Sequence, residues 1–177
     1  MDLSIKSRWG QTLFGGSILA IVMVFIILIG TMPIVSNKTV AGDFLSNNSA
    51  SKAIVFFGFP GCSDICPLTL ATISQTIQQL QTQPQVIFVD IDPNSSPSLS
   101  QQYAQQFHPS FVGHHISMTN SEKMKSQFGL NISQHGELIK HQGRTYVLEQ
   151  REGRWQIVKA YNPNTFSVQA LLEEVHL

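Results

Sequence analysis

The chain has 177 residues, enough for one domain of ordinary size and a little more. Lys+Arg and Asp+Glu balance at 11 each, so the basic excess that a nucleic-acid binder concentrates on one face is absent. Charged residues make up only 12% and apolar residues 42%, which sets disorder aside, and Gly 12 with Pro 8 is far from a collagen-like composition.

The apolar content is concentrated at the front. No charged residue occurs from Trp9 to Asn37, and Leu13 to Met32 reads LFGGSILAIVMVFIILIGTM. At 1.5 Å rise, such a run spans about 30 Å, the hydrocarbon thickness of a bilayer. The reading is a short N-terminal tail over 1–12 and one transmembrane helix over 13–32. A cleaved signal peptide would have an apolar core of about 7–15 residues and a small-x-small cleavage site. This run is longer and leaves through Thr31-Met32-Pro33-Ile34-Val35. Lys6 and Arg8 precede the span and Lys38 is the basic residue close behind it. The positive-inside rule then leaves the tail in the cytoplasm and the rest outside. An Arg- and Ser-rich presequence is missing, which favours a bacterial inner membrane over an imported organellar protein.

Residues 33–51 read as a tether, because Ser46-Asn47-Asn48-Ser49-Ala50-Ser51 is small, polar and without period. Residues 52–177 form the folded domain. Ala53 to Phe59 is a continuous apolar run, the pattern of a strand buried on both faces. Leu70, Ile73, Ile77 and Leu80 recur at helical spacing, predicting an amphipathic helix over 64–82. Val86–Ile91 is a second buried strand, Ser98–Phe107 a helix and Phe111–Ser117 a short strand. Asn120 is placed to cap a helix that stops at Gly129. The Gln-rich patches near 75–85 and 101–106 read as exposed helix faces. Thr145–Glu149 and Trp155–Ala160 form a hairpin around Glu152-Gly153, and Thr165–Val175 closes the chain as a helix. Parallel strands early and an antiparallel pair late predict an α/β fold, a mixed sheet flanked by helices with thioredoxin-like architecture.

Cys62 and Cys66 are the only cysteines, spaced C-x-x-x-C between the central strand and the next helix. Sites form at this carboxyl edge of an open α/β sheet. On a first helical turn the two sulfurs would share one side, and the helix N-terminus would lower their pKa values. Such a pair can close into a disulfide or clamp a soft metal, and Cu(I) would take an imidazole as well. His176 is terminal, and His108 ends a helix. The adjacent His114 and His115 face opposite sides of a strand. His135 and His141 both lie in the loop before the 145–149 strand, and spacing does not choose between them.

The run Phe56-Phe57-Gly58-Phe59-Pro60-Gly61-Cys62-Ser63-Asp64-Ile65-Cys66-Pro67-Leu68-Thr69-Leu70 resembles the SCO/SenC family, whose pattern is F-G-[FY]-T-x-C-P-D-x-C-P-x-x-L. Phe88-Val89-Asp90-Ile91-Asp92-Pro93 is similar to the strand end V-x-V-D-P of that family, and Phe107 to Gly113 to its next landmark. His141, five residues before Tyr146, matches H-x-x-x-x-Y. Pro60 and Ser63 stand where the family has Thr and Pro. Asn94-Ser95-Ser96-Pro97 replaces Arg-Asp-Thr-Pro and so removes a charged surface feature. The stretch Asp43–Ser51 is too short for the family's N-terminal β-hairpin.

The resemblance implies a membrane-anchored, thioredoxin-like copper chaperone, with Cys62, Cys66 and His141 as ligands to copper, as Cu(I) or Cu(II). It is then a metallochaperone rather than an enzyme. The implied partners are the copper-centre subunit of cytochrome c oxidase or another copper protein, a periplasmic thiol reductant and the lipid bilayer. The implied location is the bacterial inner membrane, single-pass, with the C-terminal domain in the periplasm. The alternative is a thiol–disulfide oxidoreductase in which Cys62 attacks and Cys66 resolves. A tethered scaffold with a purely structural disulfide is the bland reading.

Overall fold

A computed structural model of the chain describes residues 21–24, 38–45, 50–135 and 138–176. The chain divides into two units, Met1–Val35 and Ser36–Leu177. In the first, residues 21–24 are helical and their side chains exposed. Among the described residues no helix is long and apolar enough to cross a membrane. The span expected over 13–32 lies largely outside them.

The second unit is built on one six-stranded sheet. Its strands are β1 (Lys38–Val40), β2 (Lys52–Gly58), β3 (Gln85–Asp90), β4 (Val112–His115), β7 (Thr145–Arg151) and β8 (Arg154–Tyr161), in the order β1-β8-β7-β2-β3-β4. A separate ribbon pairs β5 (Ser133–His135) with β6 (Leu138–Lys140). The helices are α1 (Ile65–Ile77), α2 (Pro97–Gln105), α3 (Met118–Phe128) and α4 (Val168–His176). β2, β3 and β4 run parallel, whereas β7 is antiparallel to β2 and β8, and β8 to β1. The mixed sheet expected from the order of elements is therefore present.

The apolar run of β2 explains its central place. Ile54 and Phe56 face a core completed by Leu70, Ile73 and Ile77 of α1 and by Leu171 of α4. Ala53, Val55 and Phe57 face the opposite core, closed by Met124 and Phe128 of α3. A strand sealed on both faces gains from burial along its whole length, at roughly 25 cal/mol per Å² of apolar surface.

Several boundaries differ from expectation for local reasons. The first helix stops at Ile77 rather than near 82, and a turn carries Leu80 back into the core at 8% exposure. Ser117, not Asn120, holds the N-cap position of the third helix, without a side-chain capping bond, and Asn120 already lies in the first turn, donating its N–H to the Ser117 carbonyl at 3.0 Å. Its stop is as expected, with Gly129 left-handed at φ 61°. The hairpin turn at Glu152-Gly153 has positive φ at both residues. Lys38–Val40 and Asp43–Leu45, in the stretch read as a tether, form the edge strand β1 and a 3₁₀ turn. Val40, Phe44 and Leu45 are buried in the core. Gln101 is not on an exposed face: its side chain accepts from the Gly113 N–H at 2.8 Å and donates to the Phe111 carbonyl at 3.1 Å, tying α2 to β4.

Candidate metal centre

β2 ends at Gly58, and the chain turns over Phe59–Cys62, closed by the Cys62 N–H donating to the Phe59 carbonyl at 3.1 Å. Cys62 therefore precedes α1, and only Cys66 lies in its first turn, so the pair does not share a helical turn as the spacing suggested. Cys66 is fully buried, whereas Cys62 is half-buried and packs against the same core. Both cysteines are free. Gly58 is needed here: a Cβ on it would come within 2.7 Å of Cys66 Sγ, 3.0 Å of Phe56 Cε1 and 3.1 Å of Phe88 Cε2.

His141 reaches the same place from 75 residues further along the chain, its Nε2 lying 3.6 Å from Cys66 Sγ. The loop expected before β7 is mostly the β5–β6 ribbon, and His141 follows β6 directly. Gly143 fixes the ring by donating its N–H to Nδ1 at 3.0 Å. Gly143 itself has φ 57°, a left-handed conformation that favours glycine. With Nδ1 accepting, the neutral imidazole carries its proton on Nε2, facing Cys66. The Phe59 ring meets the imidazole edge to face at 5.6 Å.

The ligand atoms of Cys62, Cys66 and His141 all lie within 4.8 Å of one another. No other trio of His, Cys, Asp or Glu side chains gathers this way among the described residues. Two sulfurs and one imidazole nitrogen at this spacing suit a soft monovalent ion at low coordination number.

Electrostatics favour the protonated form of the Cys66 thiol. Burial pushes the Cys66 thiol well above its ordinary value, reinforced by its hydrogen bond with Cys62 and by the fields of Cys62 and Asp90, and opposed by the Phe59 backbone. The lowering expected from the helix N-terminus is thus overridden at Cys66 by desolvation. Burial also lowers the pKa of His141, keeping its ring neutral.

Asp90 ends β3 fully buried. Its Oδ1 accepts from the Asp92 N–H at 3.0 Å, and its Oδ2 accepts from the Ser95 and Ser100 hydroxyls at 2.5 and 2.6 Å. It fastens the β3–α2 connection beside the sulfurs, a role hidden in the sequence because Ser95 and Ser100 carry no pattern of their own.

The other histidines take separate places. His108 pairs with Ser110, Nδ1 to Oγ 2.7 Å. His115 Nε2 donates to the Asp92 carbonyl at 2.9 Å, and the His114 ring packs on Phe44 at 5.5 Å. Both line a cleft of about 200 Å³ with Asp43 and Lys123. His135 ends β5, paired through its backbone with Leu138, and His176 ends α4.

A model of the SCO1/SenC family matches residues 43–176. The solution structure of apo Sco1 from Thermus thermophilus is 30% identical, covers 82% of this chain and 92% of its own, and has a TM-score of 0.64. Yeast Sco1 with copper bound is 27% identical, covering 71% of this chain and 76% of its own, with a TM-score of 0.59. The human SCO2 homolog, a mitochondrial protein, is 34% identical over 80 residues, 42% of this chain. The chain spans 29% of the length of that human protein, and 55% and 45% of two rickettsial SCO2-like proteins.

Proposed function

The chain belongs to the SCO1/SenC family, and on that premise we propose that it is a membrane-anchored metallochaperone that carries Cu(I) as cargo and passes it on by thiolate exchange. The observation that carries this reading is the convergence of Cys62, Cys66 and His141 within 4.8 Å. The similarity to yeast Sco1 with copper bound supports copper as the ion.

Binding starts from the reduced pair, because a disulfide offers no thiolate. Each cysteine that binds gives up its thiol proton, and the neutral His141 ring frees Nε2 by moving its one proton to Nδ1, giving up the hydrogen bond that Nδ1 accepts from the Gly143 N–H. Two thiolates and one imidazole leave the ion short of ligands, so an incoming thiolate of a partner can bond to it. One cysteine is then released and takes back a proton, with no change of oxidation state. Cys62, half-buried against the fully buried Cys66, is the ligand that leaves first.

The recipient in this reading is the copper-centre subunit of cytochrome c oxidase or another copper protein. A periplasmic thiol reductant keeps the pair open. Residues 13–32 anchor the chain in a bacterial inner membrane with the domain in the periplasm.

One observation favours a second reading, the thiol–disulfide oxidoreductase. Cys66 is buried and hydrogen-bonded to the more accessible Cys62, the asymmetry of an attacking and a resolving thiol. The two readings part at His141. With the reduced full-length chain under anaerobic conditions, His141→Ala is expected to lower Cu(I) affinity by about a hundredfold or more, as lost ligands do, while disulfide exchange with a small dithiol stays within about twofold. Unchanged Cu(I) affinity in His141→Ala would leave the oxidoreductase as the better account.

A further inference from the structure

Phe59 is the first residue beyond β2 and opens the turn that carries Cys62, whose N–H donates to the Phe59 carbonyl at 3.1 Å. Its half-buried ring folds over Gly61, where a Cβ would touch the ring's Cδ2 and Cε2 at 3.4 Å. From there the ring meets the His141 imidazole, with centroids 5.6 Å apart and planes at 78°. One residue therefore holds the Cys62 turn with its main chain and the third proposed ligand with its side chain.

The place of His141 in the fold calls for such a hold. Its segment follows a two-stranded ribbon whose short strands pair with each other and not with the six-stranded sheet, so no strand pairing sets the imidazole against the cysteines. Gly143 docks the loop beside α1, where a Cβ would meet Ile65 Cγ2 at 3.2 Å. The Gly143 N–H bond to Nδ1 then fixes the ring relative to that same loop. Apart from the 3.6 Å approach to Cys66 itself, the Phe59 ring is the one hydrogen-bond or ring contact among the described residues that reaches the imidazole from the cysteine side. Aromatic pairs at this angle attract edge to face, a preference of direction that an aliphatic side chain does not supply.

We propose that Phe59 is a positioning residue of this centre: its ring holds the His141 imidazole facing the two sulfurs before the ion arrives. An ion that meets three ligand atoms already within 4.8 Å of one another loses less binding free energy to ordering the third. Phe59 has no donor atom of its own and acts on the ion only through His141. This inference rests on the Cu(I) reading above and adds a residue to it.

Phe59→Leu keeps apolar bulk and removes the ring, and Phe59→Tyr restores the ring. In the reduced full-length chain, anaerobic chelator competition is expected to find Cu(I) affinity about two- to tenfold weaker in Phe59→Leu, the range of an aromatic pair, and within about twofold of the wild type in Phe59→Tyr. A residue that only kept the Cys62 turn folded would weaken binding whether or not the imidazole is present. The same substitution is therefore made in His141→Ala, where it is expected to lose no further affinity. Phe59→Met serves the same cycle if the Leu variant does not fold. Undiminished affinity in Phe59→Leu overturns the inference, as does a Tyr variant as weak as the Leu one, or a loss of equal size in the His141→Ala background. A wild-type chain that takes up no Cu(I) overturns the parent reading together with this one, whereas the other failures leave that reading standing.

Discussion

A thiol sealed beneath Phe56 and Phe88 ionises only at the expense of its solvation, and at Cys66 that expense outweighs the helix N-terminus. The consequence is a pH dependence of metal binding with a definite sign. The raised thiol stays protonated through the neutral range, so binding must expel its proton, and each unit of higher pH removes a competitor. Cu(I) affinity should climb by at least about tenfold per pH unit between about pH 6 and 8, the share of the Cys66 proton alone. His141 does not steepen the slope at the low end by adding a second competing proton, because burial lowers its pKa and keeps it neutral where an ordinary histidine begins to protonate. Chelator competition at three pH values measures the slope, and a flat profile would mean the sulfur is already a thiolate. The two sulfurs were legible in the sequence from their place after a buried run. Spacing alone did not choose His141 over His135, because both precede β7 at distances a loop could span; the choice came from the resemblance at His141-x-x-x-x-Tyr146. What separates them is the β5–β6 ribbon, a pairing between segments of three residues that no periodicity announces.

At the scale of elements, bare backbone decides where sulfur and helix can sit. Gly58 closes β2 with Cys66 Sγ lying where a side chain would be. Gly58→Ala should destabilise the reduced domain by about 1–3 kcal/mol, as overpacked core positions do. It should also weaken Cu(I) binding, because the sulfur cannot hold its position against the new methyl. Urea unfolding and chelator competition on the same preparation test both, and a variant with native stability and affinity would show that Cys66 is free to move. Gly113 does the same service between β4 and α2: a Cβ there would meet the Ser100 carbonyl oxygen at 2.2 Å, and this close approach lets Gln101 bond to the β4 backbone. The long elements were readable because their patterns are internal to them, as with the buried run of β2 or the Leu70, Ile73, Ile77 stripe of α1. β1 was read as tether because its three residues owe their extended form to β8, a partner more than a hundred residues away.

Across the whole molecule, the centre joins segments that the chain brings together late. Cys62 and Cys66 follow β2 at the middle of the sheet, while His141 arrives from beyond α3 and the β5–β6 ribbon. An ion held by all three links the middle of the sheet to the segment entering β7, and it binds only where those segments are folded against one another. Mass action then makes the metal a stabiliser of the domain. Saturation at about a hundredfold over Kd should raise unfolding free energy by about 2.7 kcal/mol, less whatever affinity the unfolded cysteines retain. That last term decides the control. An unfolded chain still carries Cys62 and Cys66 four residues apart, a local pair that can hold Cu(I), but it holds His141 only by closing a long loop. Replacing His141 by Ala should therefore remove most of the metal's stabilisation while leaving the metal-free melt near that of the wild type. Thermal unfolding of both proteins, reduced, with and without one equivalent of Cu(I), reads the difference directly. If the metal raised the melting temperature equally in both, the two sulfurs alone would be holding it, and the imidazole would be a neighbour rather than a ligand.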